Sequence, residues 1–343
     1  LGRIIDPSIA LILIQLIMWK ILSFLQKNLT WSIPIFMLLG VVFGIVANPS
    51  ELKSLIIPLT FLMVYPMMIN LQMKKVISGG DYKVQIITQL INFGIIPFFA
   101  FGVGKLFFNE QPLILLGLLL TSLLPTSGMT ISWTGFAKGN INAAIKMTVI
   151  GLIVGSIATP FYAKYLMGTV IEIPLVSIFK QIIIIVFLPM ILGQVTQFLL
   201  IQQVGMEKYQ KNLKKKFPVF STLGVLGIVF VAMALKAKSI LANPVMLLSL
   251  LAPLVTIYGF NFLLSTLIGK ALFDRDNAIA LVYGTVMRNL SIALAIAMTV
   301  FGQEGSEIAL IITMAYIIQV QAGAWYVKFT DRIFGKLPTS EPV

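Results

Sequence analysis

Two residue types are missing altogether and a whole class is scarce. The 343-residue chain has no cysteine and no histidine, and only 11% of it is charged. Without cysteine there is no disulfide and no thiolate metal site, and the redox compartment stays open. Without histidine the commonest metal ligand and the usual neutral-pH proton carrier are gone. None of the twelve acidic residues falls deep within an apolar run; Glu110, Glu172, Asp274, Asp276, Glu304 and Glu307 all sit at ends or in loops. No acid–base or metal set remains for an enzyme, so no catalytic residue, metal or cofactor is expected. A soluble domain of this length needs roughly a quarter of its residues charged. This one cannot wet its surface.

What is present is apolar. Hydrophobic residues make up 58% of the chain and the mean hydropathy is +0.99. They come in runs of about 17 to 25 residues, long enough to cross roughly 30 Å of hydrocarbon. The net charge is +13. The basic residues sit in short loops beside apolar runs, with no basic face interleaved with aromatics. They therefore read as a topology signal and as contacts to anionic lipid headgroups, with no nucleic-acid partner.

The expected spans are Ile33–Ala47, Leu55–Leu71, Val84–Phe108, Pro112–Phe136, Asn142–Met167, Val176–Val204, Val219–Leu235, Val245–Phe273, Ala278–Phe301 and Ile308–Phe329. Before these ten lies Pro7–Leu25, which either spans or lies in the interface with Lys20 and Lys27 towards water. It lacks a small-residue cleavage site, so it does not read as a signal peptide. No soluble domain fits between the spans.

Loops on one side carry Lys74, Lys75, Lys83, Lys138, Lys208, Lys211, Lys214, Lys215, Lys216, Lys270, Arg275, Lys328, Arg332 and Lys336. The other side has only Lys53, Lys105, Lys164, Lys236 and Lys238. This bias predicts a multi-pass protein of the cell membrane, with the Met206–Phe217 loop and the C-terminus cytoplasmic.

Five spans precede Val176 and five begin there, and an odd number per half gives two like halves opposite orientations. Gly104-Lys105-Leu106-Phe107-Phe108 and Gly269-Lys270-Ala271-Leu272-Phe273 superimpose on a shift of 165 residues, which lays Pro125 on Leu290. The expected organisation is an N-terminal helix (1–30), a first five-helix repeat (31–168), an inverted second repeat (169–330) and a cytoplasmic tail (331–343). The fold class is an all-α membrane protein of ten transmembrane helices in two inverted five-helix repeats.

Two spans carry breaks. In Leu124-Pro125-Thr126-Ser127-Gly128-Met129-Thr130, proline removes a backbone donor and glycine eases unwinding. Irregular backbone survives at membrane depth only inside protein or beside a wet cavity. A plain proline kink is the bland alternative. In Tyr283-Gly284-Thr285-Val286-Met287-Arg288-Asn289-Leu290-Ser291, Arg288 stands about ten residues from either end of its run, too deep to snorkel. A central arginine costs at least about 2.5 kcal/mol, so it should face the interior and be paired. With no deep carboxylate, its partners reduce to carbonyls, an amide such as Asn92, or a bound anion. Broken helices also expose N-termini that attract negative charge. The candidate substrate site is therefore Arg288, Asn289, Ser291, Thr126, Ser127, Thr130 and Asn92. Thr148, Gln319 and Gln321 are possible cavity-lining residues, and interhelical hydrogen bonds serve the glutamines equally well. Lys146 and Lys180 read as snorkelling, and Trp31, Trp133 and Trp325 as interface anchors.

The stretch Leu124–Gly128, followed by Gly135-Phe136-Ala137-Lys138-Gly139-Asn140 and by Thr148, resembles the fourth and fifth helices of the bile acid:sodium symporter superfamily, which includes arsenite exporters. Met287-Arg288-Asn289-Leu290-Ser291 resembles its second crossover. The resemblance implies ten helices, a panel and a core domain, and crossing broken helices in the fourth and ninth spans. It also implies departures. Sodium-coupled members have Glu where this chain has Gly284, Gln at Arg288, Asn at Ile131 and Ser at Ala144. Of the implied sodium ligands only Thr130, Thr148 and Asn92 remain. Arsenite-exporting members use a fourth-helix Cys, absent here. The leading reading is thus a secondary transporter of a small organic anion, not sodium-coupled, with an arsenite or oxyanion exporter as runner-up. A channel or a non-transporting membrane scaffold is the competing class; a channel needs a continuous polar lining, whereas polar residues here cluster at the breaks.

Overall fold

The structure is a computed structural model that describes residues 18–73, 80–242, 245–302 and 304–335. The first seventeen residues of the N-terminal helix, Lys74, Lys75, Lys336 and most of the expected tail lie outside the described residues. Among the described residues every regular element is helical, apart from one isolated β-bridge.

A short α1 (Met18–Lys27) meets α2 (Leu29–Val46) at 106°. A 3-10 turn at Pro49–Leu55 leads into α3 (Ile56–Ile69), and α4 (Tyr82–Phe108) follows. Where a fourth span was expected there are two helices, α5 (Pro112–Leu123) and α6 (Gly128–Phe136). Then come α7 (Ile141–Met167), α8 (Leu175–Val204), α9 (Phe217–Ala242) and α10 (Leu251–Leu272). The ninth span is again two helices, α11 (Arg275–Val286) and α12 (Leu290–Val300), before α13 (Gly305–Phe334). Seven described helices are long and apolar enough to cross a membrane, which makes this a multi-pass membrane protein. The expected Met206–Phe217 loop is not open coil: a helical turn at Met206–Lys208 and a π-turn at Tyr209–Leu213 fill most of it.

The helices sort into two groups. In one, α9 packs along α2 and α3, with α8 against α3. Small residues allow this approach: a β-carbon at Gly44 would stand 2.2 Å from the carbonyl oxygen of Ala234, and one at Gly40 2.5 Å from that of Phe230. Without a hydrophobic force between helices in lipid, such close backbone packing is a main source of association. The other group holds α4 to α7 and α10 to α13, with α5 against α13 and α10 against α11. Here α5, α11, α12 and the first half of α13 are almost entirely buried, whereas α2 and α8 turn many large apolar side chains outward to lipid.

Ion pairs sit at the ends of the bundle. Arg275 joins Asp331 (2.5 Å) and Asp276 (3.3 Å) at one end, and Lys236 joins Glu307 (2.9 Å) at the other. Lys146 does not snorkel: it is buried and pairs with Asp81 at 3.2 Å, while Lys180 is exposed. Trp133 and Met287 both pack on Gly323, and Trp133 is half-buried; Trp31 and Trp325 are exposed.

Candidate functional site at the helix crossover

The two interrupted spans meet at their breaks. Pro125 and Arg288 form an antiparallel bridge in which Thr126 N donates to Met287 O (2.8 Å) and Asn289 N donates to Leu124 O (2.7 Å). The partners stand 163 residues apart along the chain. Each break thus answers the other's freed backbone, as burial in a membrane requires.

The remaining loose ends follow from counting. In a continuous helix the carbonyls of Gly284 and Thr285 would accept from residues 288 and 289. Those N–H groups are diverted, and side chains replace them: Asn92 Nδ2 donates to Gly284 O (3.0 Å) and Asn261 Nδ2 to Thr285 O (2.8 Å). Ser265 completes this end through Thr285 Oγ1 (2.6 Å). Across the crossover, Ser122 O has lost Thr126 N to the bridge, and Arg288 Nη1 takes its place at 3.1 Å. The cation then lies at the C-terminal end of α5, where the helix dipole favours it.

Three expected site hydroxyls are occupied by the first break itself. Thr126 is held at φ +62°, a strained conformation for a β-branched residue, and is fully buried. Its hydroxyl lies 2.6 Å from Pro125 O, 3.2 Å from Met147 O and 3.3 Å from Thr148 O, close against Gly151. Ser127 caps α6 by accepting from Met129 N (3.2 Å), and Thr130 Oγ1 accepts from Ser127 N (3.1 Å). This capping box closes the helix start that was expected to face an anion. Asn289 caps α12 in the same way, accepting from Ile292 N at 3.3 Å. Thr148 donates to Ala144 O (2.8 Å) and lies 3.4 Å from Ser127 O.

Arg288 is differently placed. It is 3% exposed, and no ion pair among the described residues includes it. Gln319 brackets its backbone, with Oε1 accepting from Arg288 N (2.7 Å) and Nε2 donating to Arg288 O (3.1 Å). Tyr258 donates to the same Oε1 (3.0 Å), and Ser291 bonds Tyr316 at 2.6 Å. One end of the guanidinium, Nη2, is buried without a partner. Gln321, two residues along α13 and so about 200° around it, is half-buried and has no hydrogen bond to another described residue. Asn92 serves Gly284 and does not reach Arg288 by any hydrogen bond.

Residues 57–243, more than half of the chain, match the Sodium Bile acid symporter family. The chain belongs to that family. It is accordingly a membrane transporter, not an enzyme. It is similar to the arsenical-resistance protein Acr3 of Alkaliphilus metalliredigens, 25% identical over 91% of this chain and 94% of that one. It is also similar to the protein of that name from Corynebacterium glutamicum (20% identical; 83% of each chain). A third relative is the Bacillus subtilis protein YbaS, 22% identical over 65% of this chain and 71% of that one.

Within this symporter family fold, the position where the resemblance implies a glutamate is packed against side chains that would have to move to admit one. A β-carbon at Gly284 would stand 2.4 Å from Met147 Sδ and 3.2 Å from Thr88 Cγ2. Ala144 is fully buried and offers no oxygen. The sequence reading missed Tyr258, Tyr316 and Asn261. Asn261 had a legible signal, an amide in the middle of an apolar run; the tyrosines had none, since aromatic residues are ordinary in such runs.

Proposed function

We propose that the chain is a secondary transporter of a small organic anion, bound at the crossover against Arg288 and carried without sodium. The observation that carries this reading is the buried, unpartnered Nη2 of Arg288, the one charged group among the buried side-chain atoms left without a partner in the described residues. A desolvated guanidinium with one free edge presents paired donors to a carboxylate or other oxyanion. Tyr316, Ser291 and Tyr258 lie on the adjoining elements and supply hydroxyls for orientation. Thr126, Ser127, Thr130 and Asn289 shape the site through the backbone they hold; Asn92, Thr148 and Gln319 support it, and Gln321 stands apart.

Sodium independence draws support from the same geometry. Sodium needs several oxygen ligands, yet Thr130 and Thr148 already bond the backbone, and Met147 fills the space beside Gly284. Arg288 supplies a fixed positive charge in its place.

The architecture we propose is ten spans in two inverted repeats, 31–168 and 169–330. The seven long helices, α2 and the two interrupted pairs make up the number. Gly104 packs on Leu115 as Gly269 packs on Ala278, and 115 to 278 is the 163-residue spacing of the bridge. The Lys208–Lys216 end is the cytoplasmic one, C-terminus included, in the cell membrane. Alternating access would move one helix group against the other around the crossover.

A second reading, export of arsenite or another oxyanion, is favoured by the names of the two arsenical-resistance relatives. A thermal-shift screen of the purified protein against carboxylates, arsenite and arsenate separates them, because a bound ligand raises the melting temperature. Saturable uptake of the winning anion into liposomes supports a carrier. Unsaturable flux would mean a channel, and no flux a scaffold.

A further inference from the structure

The crossover accounts for most buried polar groups near it, but one helix carries a set that it does not use. Along α4, Gln85, Gln89 and Asn92 follow one another at roughly one-turn intervals, so they share a face. That face meets α7 and α11: Gln85 Nε2 donates to Ala143 O (3.0 Å) and Asn92 Nδ2 to Gly284 O (3.0 Å). A π-turn at Leu90–Ile95 sets the upper end, and Tyr162 takes up the freed carbonyl of Phe93 at 2.5 Å.

Two of the three amides are only partly matched, and Gln89 is not matched at all. Gln85 Oε1, Gln89 Oε1 and Nε2, and Asn92 Oδ1 are all buried without a partner. Gln85 is 8% exposed and Asn92 fully buried. Four orphaned polar atoms in a row along one helix face are unlike the crossover, where nearly every group is answered. Such atoms are costly in a membrane interior unless something polar meets them. They need both donors and acceptors, because the set mixes amide oxygens with an amide nitrogen.

One end of the row lies close to the surface. A turn below Gln85 lies Asp81, paired with Lys146, and Asp81 and Val84 line a surface pocket of about 230 Å³ with Tyr82, Lys83, Phe273 and Asn277. At the other end Asn92 holds the Gly284 carbonyl, one turn before Arg288. A flanking face of α4, about 110° around the helix, presents Ile86 and Leu90, 56% and 62% exposed, towards lipid.

We infer that the Gln85–Gln89–Asn92 row binds a file of water molecules that enters from the Asp81 pocket and hydrates the crossover from behind. Water both donates and accepts, typically makes about three hydrogen bonds when buried, and fits a path lined by amides alone. The path stops short of the Arg288 guanidinium, to which α4 contributes no hydrogen bond, and meets the proposed anion site only through Asn92.

Silver ion tests this without any transported substrate, so the result is independent of whether the anion reading holds. The chain has no native cysteine. Single variants Gln85→Cys, Gln89→Cys and Asn92→Cys in membrane vesicles are exposed to Ag⁺ from the Asp81 side, then denatured and labelled with a maleimide. Hydrated thiols ionise and bind silver, whereas thiols in apolar surroundings stay inert. All three positions should be blocked at least about ten-fold faster than Ile86→Cys and Leu90→Cys. Adding Gln89→Leu to Asn92→Cys should slow blocking at 92 by a similar factor. Each variant is first shown to melt cooperatively. Folded variants in which positions 89 and 92 react no faster than 86 and 90, or in which Gln89→Leu changes nothing, would overturn the water file.

Discussion

Gln319 holds Arg288 by its peptide, not by its charge: the carboxamide takes the N–H at 2.7 Å and gives to the carbonyl at 3.1 Å. One side chain on α13 thus replaces both helical bonds that the break denies this residue. The guanidinium is left to its own partners, Ser122 O and one free edge.

Gln319→Leu should therefore act on stability. It orphans a buried donor and a buried acceptor, each worth about 1–3 kcal/mol, and removes the partner of Tyr258. Thermal unfolding in detergent should show a clear drop in melting temperature. A variant as stable as the parent would mean that the bracket carries no weight.

Arg288→Gln should weaken anion binding while the protein still folds. Losing a charge-assisted hydrogen bond costs on the order of 1.5–3 kcal/mol, about 10- to 150-fold in affinity. Arg288→Lys should recover only part, because the ammonium lacks the planar fork. Ser122 O also loses its donor, so affinity and melting temperature are to be measured together. Unchanged affinity beside lowered stability would make Arg288 a purely structural cap on α5.

Uptake should persist when sodium is replaced by potassium at constant membrane potential. Gly284→Glu should not create sodium dependence, since the new side chain must first displace Met147 and Arg288 keeps its charge one turn further on. Loss of uptake on removing sodium would show that oxygen ligands beyond Thr130, Thr148 and Asn92 are at work.

A cysteine placed at the exposed Gln210 should resist an impermeant thiol reagent applied to whole cells and react once the cells are opened. Labelling from outside would reverse the proposed orientation.

Gly44→Ala should destabilise the α2–α9 pair by about 1–3 kcal/mol, the usual range for an overpacked contact. Its methyl would fall 2.2 Å from Ala234 O. A chemical or thermal melt with no change would mean that the two helices separate freely at this point.

The sequence alone determined the solvent, the positions of the helices and the sites of both breaks. These follow from run length, from Pro125, and from a cation too deep to reach water, and each is local along the chain. The sequence also marked Asn92 and Gln319, since an amide inside an apolar run must find a partner. It could not say which partner. That Pro125 faces Arg288, that Asn92 answers Gly284 while Asn261 answers Thr285, and that Ser122 O receives the guanidinium were decided only by tertiary structure. A carbonyl looks the same in every residue, so which one a break leaves free, and which side chain arrives there, depends on how two distant segments cross.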